Sequence, residues 1–253
     1  MRRARSTRAL APLLLAAVGS CVGGSETGNP AVPTSLALSV RSSDPTTIAV
    51  RGGAKITVIE HAWVAFGEIR FLSGDECKLL ESFPHEKPTQ LAADLAAPNV
   101  RWALDVREGD YCGAVATLEN STAKLPQGAP EQLADHSIVL TGHLADGTAF
   151  TLAYPQADEL ELQAISTKKP IEVSTDGPLH LLAFDVAEWL AGVDLASAQR
   201  ATDGSILIDE QHNLSKLEQF EQNLDCSLSL YADTNDDGVL DDADPLLARC
   251  PKS

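Results

Sequence analysis

The chain has 253 residues, with 36 Asp and Glu against 19 Lys and Arg, and a formal charge of −17. A surface this acidic repels phosphate backbones and anionic headgroups, so a nucleic-acid partner is not expected, and it favours divalent cations. With 44% hydrophobic residues the chain can bury the core of one large domain, or of one domain with an appendage.

Residues 1–20 contain four arginines and no acid; an apolar run from Ala9 to Val18 is followed by Gly19 and Ser20. A basic start, a short apolar stretch and small residues form the layout of a signal peptide, too short to span a bilayer as a helix. Cys21 directly after Val18, Gly19 and Ser20 resembles the lipobox of bacterial lipoproteins. That resemblance implies acylation of Cys21, which becomes the first mature residue. It also implies an envelope location, at the outer membrane by the sorting residue Val22. Acyl chains bury at about 0.8 kcal/mol per methylene, and several on one residue make a stable anchor. Loss of the four arginines takes the formal charge to −21. Residues 21–35 are rich in Gly, Ser and Pro and read as a flexible tether.

From 36 to 200 the pattern is mainly β. A first strand covers 35–40. Between 56 and 71, Val64, Phe66, Ile69 and Phe71 share one side if Gly67 marks a bulge, where strand-interior glycines tend to sit. Alternation then puts Glu60 and His61 on opposite faces, which argues against an acid–base pair. Residues 91–95 suit a helical turn or a short strand. Strands follow at 102–106 and 111–118, joined by a turn over 107–110. Asp146-Gly147 between 137–144 and 149–153 is a hairpin signal; it places His143 opposite Ile138, Leu140 and Leu144. Strands at 160–164, 171–173 and 179–184 come next, with His180 read as a buried, hydrogen-bonded histidine. Asp185 caps a helix that carries Trp189 into the core and stops at Gly192. The residues 201–253 read as a C-terminal extension. It contains a strand at 206–208 and a helix over 213–224, with Leu214, Leu217, Phe220 and Leu224 on one face. Short strands at this spacing with one or two short helices predict an antiparallel β-sandwich.

The bulged strand, the Gly109-Asp110-Tyr111 turn into a strand, the Asp-Gly hairpin and the Phe184-Asp185 strand-to-helix junction are together similar to a family of bacterial surface lipoproteins. The domain of that family has no assigned function. The resemblance spans about residues 36–200 and implies a prealbumin-like sandwich; it carries over no catalytic residue.

Five cysteines are present. With Cys21 lipidated, Cys77, Cys112, Cys226 and Cys250 form two disulfides in an exported chain. Of three pairings, Cys77–Cys112 and Cys226–Cys250 are expected, because each joins neighbours within one region. No Cys-x-x-Cys is present, which argues against a zinc or redox site.

The segment 233–244 carries the most specific chemistry. Asp233, Asn235 and Asp237 fall at positions 1, 3 and 5 of an EF-hand-like loop. Gly238 stands at the sharp turn, Val239 offers its carbonyl, Asp241 can ligate through water, and Asp244 closes the loop. Aspartate replaces the usual glutamate at the last position and is one methylene shorter. A strand rather than a helix leads into the loop, and only one loop exists, so calcium here is expected to be structural rather than a sensor signal.

No Gly-x-Ser-x-Gly, His-Glu-x-x-His or phosphate-binding loop occurs, and the six histidines are scattered. The sequence therefore points away from an enzyme. It points to a lipid-anchored envelope protein with a structural or interaction role, braced by calcium and disulfides. The alternative is a calcium-dependent binding module or adhesin recognising a glycan or surface protein, although Trp63, Trp102 and Trp189 form no aromatic stripe. A third reading is a secreted hydrolase using two carboxylates.

Overall fold

The computed structural model describes residues 31–40, 48–52, 55–73, 91–97, 100–121, 125–166 and 169–251. The signal peptide, Cys21 and most of the tether lie outside these residues, as do Cys77 and His85.

The described strands are β1 (Ala31–Val40), β2 (Ile48–Gly52), β3 (Lys55–Leu72), β4 (Leu91–Asp94), β5 (Val100–Arg107), β6 (Gly109–Tyr111), β7 (Gly113–Leu118), β8 (Ile138–Leu144) and β9 (Ala149–Tyr154). They continue with β10 (Glu159–Ala164), β11 (Ile171–Val173), β12 (Leu179–Phe184), β13 (Ile206–Ile208), β14 (Leu228–Asp233) and β15 (Leu246–Arg249). Two α-helices, α1 (Val186–Trp189) and α2 (Leu214–Leu224), and two short 3-10 helices, Glu131–Ala134 and Leu195–Ser197, complete the regular structure among the described residues.

Eleven strands run in the order β13-β9-β8-β3-β7-β10-β15-β14-β12-β1-β5, with β2 and β4 also paired on β3; β6 and β11 form a separate ribbon. The sheet is mixed, not antiparallel throughout as the sequence suggested. β1 runs parallel to β12 and β13 parallel to β9. Both parallel partners are far apart in sequence, as a parallel crossover requires.

The sheet does not stay flat. Phe66 on β3 and Phe184 on β12 have ring centroids 5.7 Å apart, yet their strands are five places apart in the order. At about 4.8 Å per strand that would be about 24 Å laterally. The sheet therefore folds over. The two halves of the order join through the short β10–β15 ladder, Gln163↔Arg249 and Ala164↔Ala248. The inner faces of both halves, with α1 and α2, share one core. Trp189 sits at its centre, edge-on to Phe184 and Phe220, with its indole N–H donating to Ser227 Oγ at 2.6 Å.

Several local readings hold. Val64, Phe66, Ile69 and Phe71 all face the core, because the β3/β7 register shifts between Phe66 and Glu68 and Gly67 absorbs the extra residue. Asp146-Gly147 closes the β8–β9 hairpin, with Gly147 at φ 81°. Asp185 caps α1 by accepting from the Glu188 N–H.

Other readings need correction. The segment 201–253 is not an extension: β14 and β15 lie in the middle of the order, and β13 ends it beside β9. Residues 31–35 belong to β1 and pair with β5 rather than to a tether. Leu214 is half exposed, whereas Leu217, Phe220 and Leu224 are buried. The start of α2 is tied both to a loop and to the edge strand: Asn213 Nδ2 donates to the carbonyls of Gln199 and of Leu207 on β13. The expected turn at 107–110 is partly strand, since β6 pairs with β11.

A candidate calcium loop in a β-hairpin

The loop 233–244 connects β14 to β15, which pair antiparallel from Ser229↔Arg249 to Tyr231↔Leu246. It is a hairpin connection, with a strand on each side. At the far end of the hairpin Cys226 and Cys250 are disulfide-bonded with Cα atoms 5.0 Å apart, as expected. Cys112 is also disulfide-bonded; its expected pairing with Cys77 lies outside the described residues.

Within the loop, short acidic and amide side chains repeatedly accept the backbone N–H two residues on, the turn habit of Asp and Asn. Asn235 N–H donates to Asp233 Oδ1 at 3.2 Å and Asp237 N–H to Asn235 Oδ1 at 3.2 Å. Val239 N–H donates to Asp237 Oδ1 at 2.7 Å and Ala243 N–H to Asp241 Oδ1 at 2.6 Å. Asp236 at φ 58° and Gly238 at φ 80° reverse the chain, and Gly238 N–H returns to Asp233 Oδ2 at 2.7 Å. Asp244 ties the ends together: it accepts from Thr234 N–H at 2.9 Å and from Asp241 N–H at 2.9 Å.

Of the sequence-predicted ligands, this arrangement brings Asn235, Asp237 and Asp241 together. Asn235 Nδ2 donates to both Asp237 Oδ2 at 3.0 Å and Asp241 Oδ2 at 3.3 Å, so positions 3, 5 and 9 converge on one point. Asp233 and Asp244 are almost wholly buried at the neck, 1% and 7% exposed. The Val239 side chain points to solvent. Among the described residues no group of three or more His, Cys, Asp or Glu is gathered as a metal-holding cluster. The carboxylates are engaged by N–H groups instead, and the Asn235 amide stands between two of them. The donor chemistry nevertheless fits a hard cation, since Asp233, Asn235, Asp237, Asp241 and Asp244 offer only oxygen once the amide makes a half-turn.

The loop is also docked on the sheet. Asp236 Oδ1 accepts from Leu179 N–H at 3.2 Å, and its carbonyl accepts from Arg101 Nη2 at 2.6 Å. Leu240 packs with Leu179, Leu181, Tyr231 and Leu246 on the outer face of β12. Both faces of β12 are thereby buried, one by the main core and one under the loop.

The histidines fall in different settings. His136 lies 3.5 Å from Glu210 and His212 2.8 Å from Asp209. His180 is buried as expected but not satisfied: among the described residues neither ring nitrogen has a hydrogen-bond partner of ordinary geometry. Burial lowers its pKa, opposed by the backbone of Glu172, so the ring is held neutral.

Glu60 and His61 give the clearest departure from strand alternation. The β3/β8 register shifts between Ile59 and His61, and both Ile59 and Ala62 face the core. Glu60 is the extra residue, so Glu60 and His61 are both exposed on the outer face. They do not pair with each other: His61 Nδ1 is 2.7 Å from Asp94 Oδ2, and His143 Nδ1 is 3.1 Å from Glu60 Oε1. Alternating polarity in the sequence gave no sign of this second bulge.

No helix among the described residues is long and apolar enough to cross a membrane, which leaves lipid anchoring untouched. No family model, curated protein or solved structure matches this chain.

Proposed function

We propose that the chain is an exported bacterial envelope protein, anchored through lipidated Cys21, whose body has a structural or interaction role and whose 233–244 loop is braced by calcium. In this reading the folded-over sheet is a β-sandwich of the prealbumin-like kind that the surface-lipoprotein resemblance implies.

One observation carries the calcium part. Asp233 and Asp244 are buried in a twelve-residue loop with six aspartates, and among the described residues no basic side chain pairs with Asp233, Asp237, Asp241 or Asp244. Buried charges are ordinarily paired or bound to metal. Extracellular loops of this kind bind calcium at about 10⁻⁴–10⁻³ M, which keeps such a site filled outside the cell. The bound ion would supply positive charge at the point where Asn235, Asp237 and Asp241 converge. The chain's own residues then transmit the order: Asp236 and Leu240 hold the loop on β12, and β12 carries Phe184 into the core.

Equilibrium dialysis of the mature chain against calcium should show one bound ion, lost in Asp233→Asn. Fractionation should release Cys21→Ser from membranes, and equal membrane retention of that variant and wild type would refute the anchor.

A further inference from the structure

We propose that the outer face of the sheet at His61 and His143 binds a divalent transition-metal ion, copper(II) or zinc, through the Nε2 atoms of both imidazoles, with water completing the coordination. The proposal is independent of the calcium loop, whose oxygen donors suit a hard ion; imidazole nitrogen suits copper, nickel and zinc.

The bulge at Glu60 creates the arrangement. His61 stands opposite Thr141 in the β3/β8 register, and Val58 opposite His143. His143 is thus two residues along from Thr141 on the same face, a diagonal cross-strand neighbour of His61. Diagonal neighbours lie about 7–8 Å apart at Cα, within reach of long side chains. Without the bulge, strict alternation from core-facing Ile59 would turn His61 inward; with it, Glu60 and His61 both face outward and Glu60 reaches His143.

Each imidazole is backed by a carboxylate on Nδ1. Asp94 is 8% exposed and cannot swing freely: its Oδ1 accepts from Ala62 N–H and Ala96 N–H, each at 3.0 Å, while Oδ2 meets His61 at 2.7 Å. Glu60 meets His143 at 3.1 Å. A carboxylate on Nδ1 fixes the proton there and leaves the Nε2 lone pair outward, the outer-shell pattern that accompanies histidine ligands of metals. Both rings are open to solvent, with side-chain exposures of 57% for His61 and 43% for His143. Two protein donors leave open positions, so the site is one for a metal carrying water or an exogenous ligand.

Copper(II) titration of the mature chain, followed by electron paramagnetic resonance, tests this. The wild type should show a site with two nitrogen donors. His61→Gln and His143→Gln should each weaken it roughly tenfold or more, leaving one-nitrogen spectra. The double variant should lose the site altogether, with no imidazole nitrogen left on this face. Asp94→Asn should weaken binding by about 10–100-fold while both nitrogens remain. His212→Gln and excess calcium should change nothing. Unchanged copper affinity in the double variant would overturn the proposal. So would two ions bound by the wild type, with each single variant keeping one of them at unchanged affinity, which would mean two separate imidazole sites.

Discussion

Replacing both Cys226 and Cys250 by serine separates the two devices that hold the β14–β15 hairpin. The bridge joins residues 24 apart in sequence. By the loop-closure relation, freeing a loop of that size in the unfolded chain costs about 3.5 kcal/mol of stability. The double serine variant should therefore lower the extrapolated unfolding free energy in urea by about 3–4 kcal/mol, with a slope equal to or steeper than that of wild type because the unfolded chain is less compact. The geometry of the 233–244 loop should survive this change. Its ends are held locally, by Tyr231↔Leu246 pairing, by Ala232 N–H to the Pro245 carbonyl at 3.1 Å, and by Asp244 on Thr234. Calcium affinity of the variant, measured by titration calorimetry under conditions where it is folded, should stay within about threefold of wild type. Loss of calcium binding together with the disulfide would refute the reasoning, because the bridge and not strand pairing would then be setting the loop.

Two glycines should separate steric from conformational cost. A Cβ at Gly142 would run into the Val58 carbonyl oxygen and lie 3.0 Å from Ile59 Cα, backbone that cannot move cheaply, so Gly142→Ala should cost about 1–3 kcal/mol or more in denaturant unfolding. Gly147 at φ 81° has open space around it, and Gly147→Ala should cost only about 1–2 kcal/mol, the left-handed penalty. His180 is held neutral in the fold while the unfolded chain takes up a proton near pH 6.5. Stability from this position is thus complete above that pH and falls as pH drops below it, by at most about 1.4 kcal/mol per pH unit. His180→Leu should raise stability and flatten that acid limb in urea titrations between pH 7 and 5; an unchanged limb would assign the acid sensitivity to other groups.

The sequence was legible where the signal is local. Alternation located β3, Gly67 marked its bulge, Asp146-Gly147 named a hairpin, and Asp185 named a cap, because each rests on conformational preferences of a few neighbouring residues. Alternation reports which face a residue takes, not which strand lies beside it. Insertion of β14 and β15 between β10 and β12, and the parallel pairs β1–β12 and β13–β9, were therefore not readable. The Glu60 bulge was hidden for a related reason: no glycine marks it, and Glu60-His61 scans as ordinary alternation. In the loop, spacing singled out Asn235, Asp237 and Asp241, which meet, whereas its docking through Asp236 and Leu240 depends on β12 and appeared only with the fold.

The central claim is that calcium at 233–244 stiffens the fold, and thermal unfolding of the mature chain with 10 mM calcium or with chelator tests it most directly. With a dissociation constant of about 10⁻⁴–10⁻³ M, binding contributes about 1.4–2.7 kcal/mol. At about 2–4 °C per kcal/mol for a chain of this size, calcium should raise the midpoint by about 3–11 °C. Asp233→Asn, which keeps an acceptor for Asn235 N–H, should abolish the shift. An equal midpoint with calcium and chelator, or a full shift in Asp233→Asn, would contradict the account.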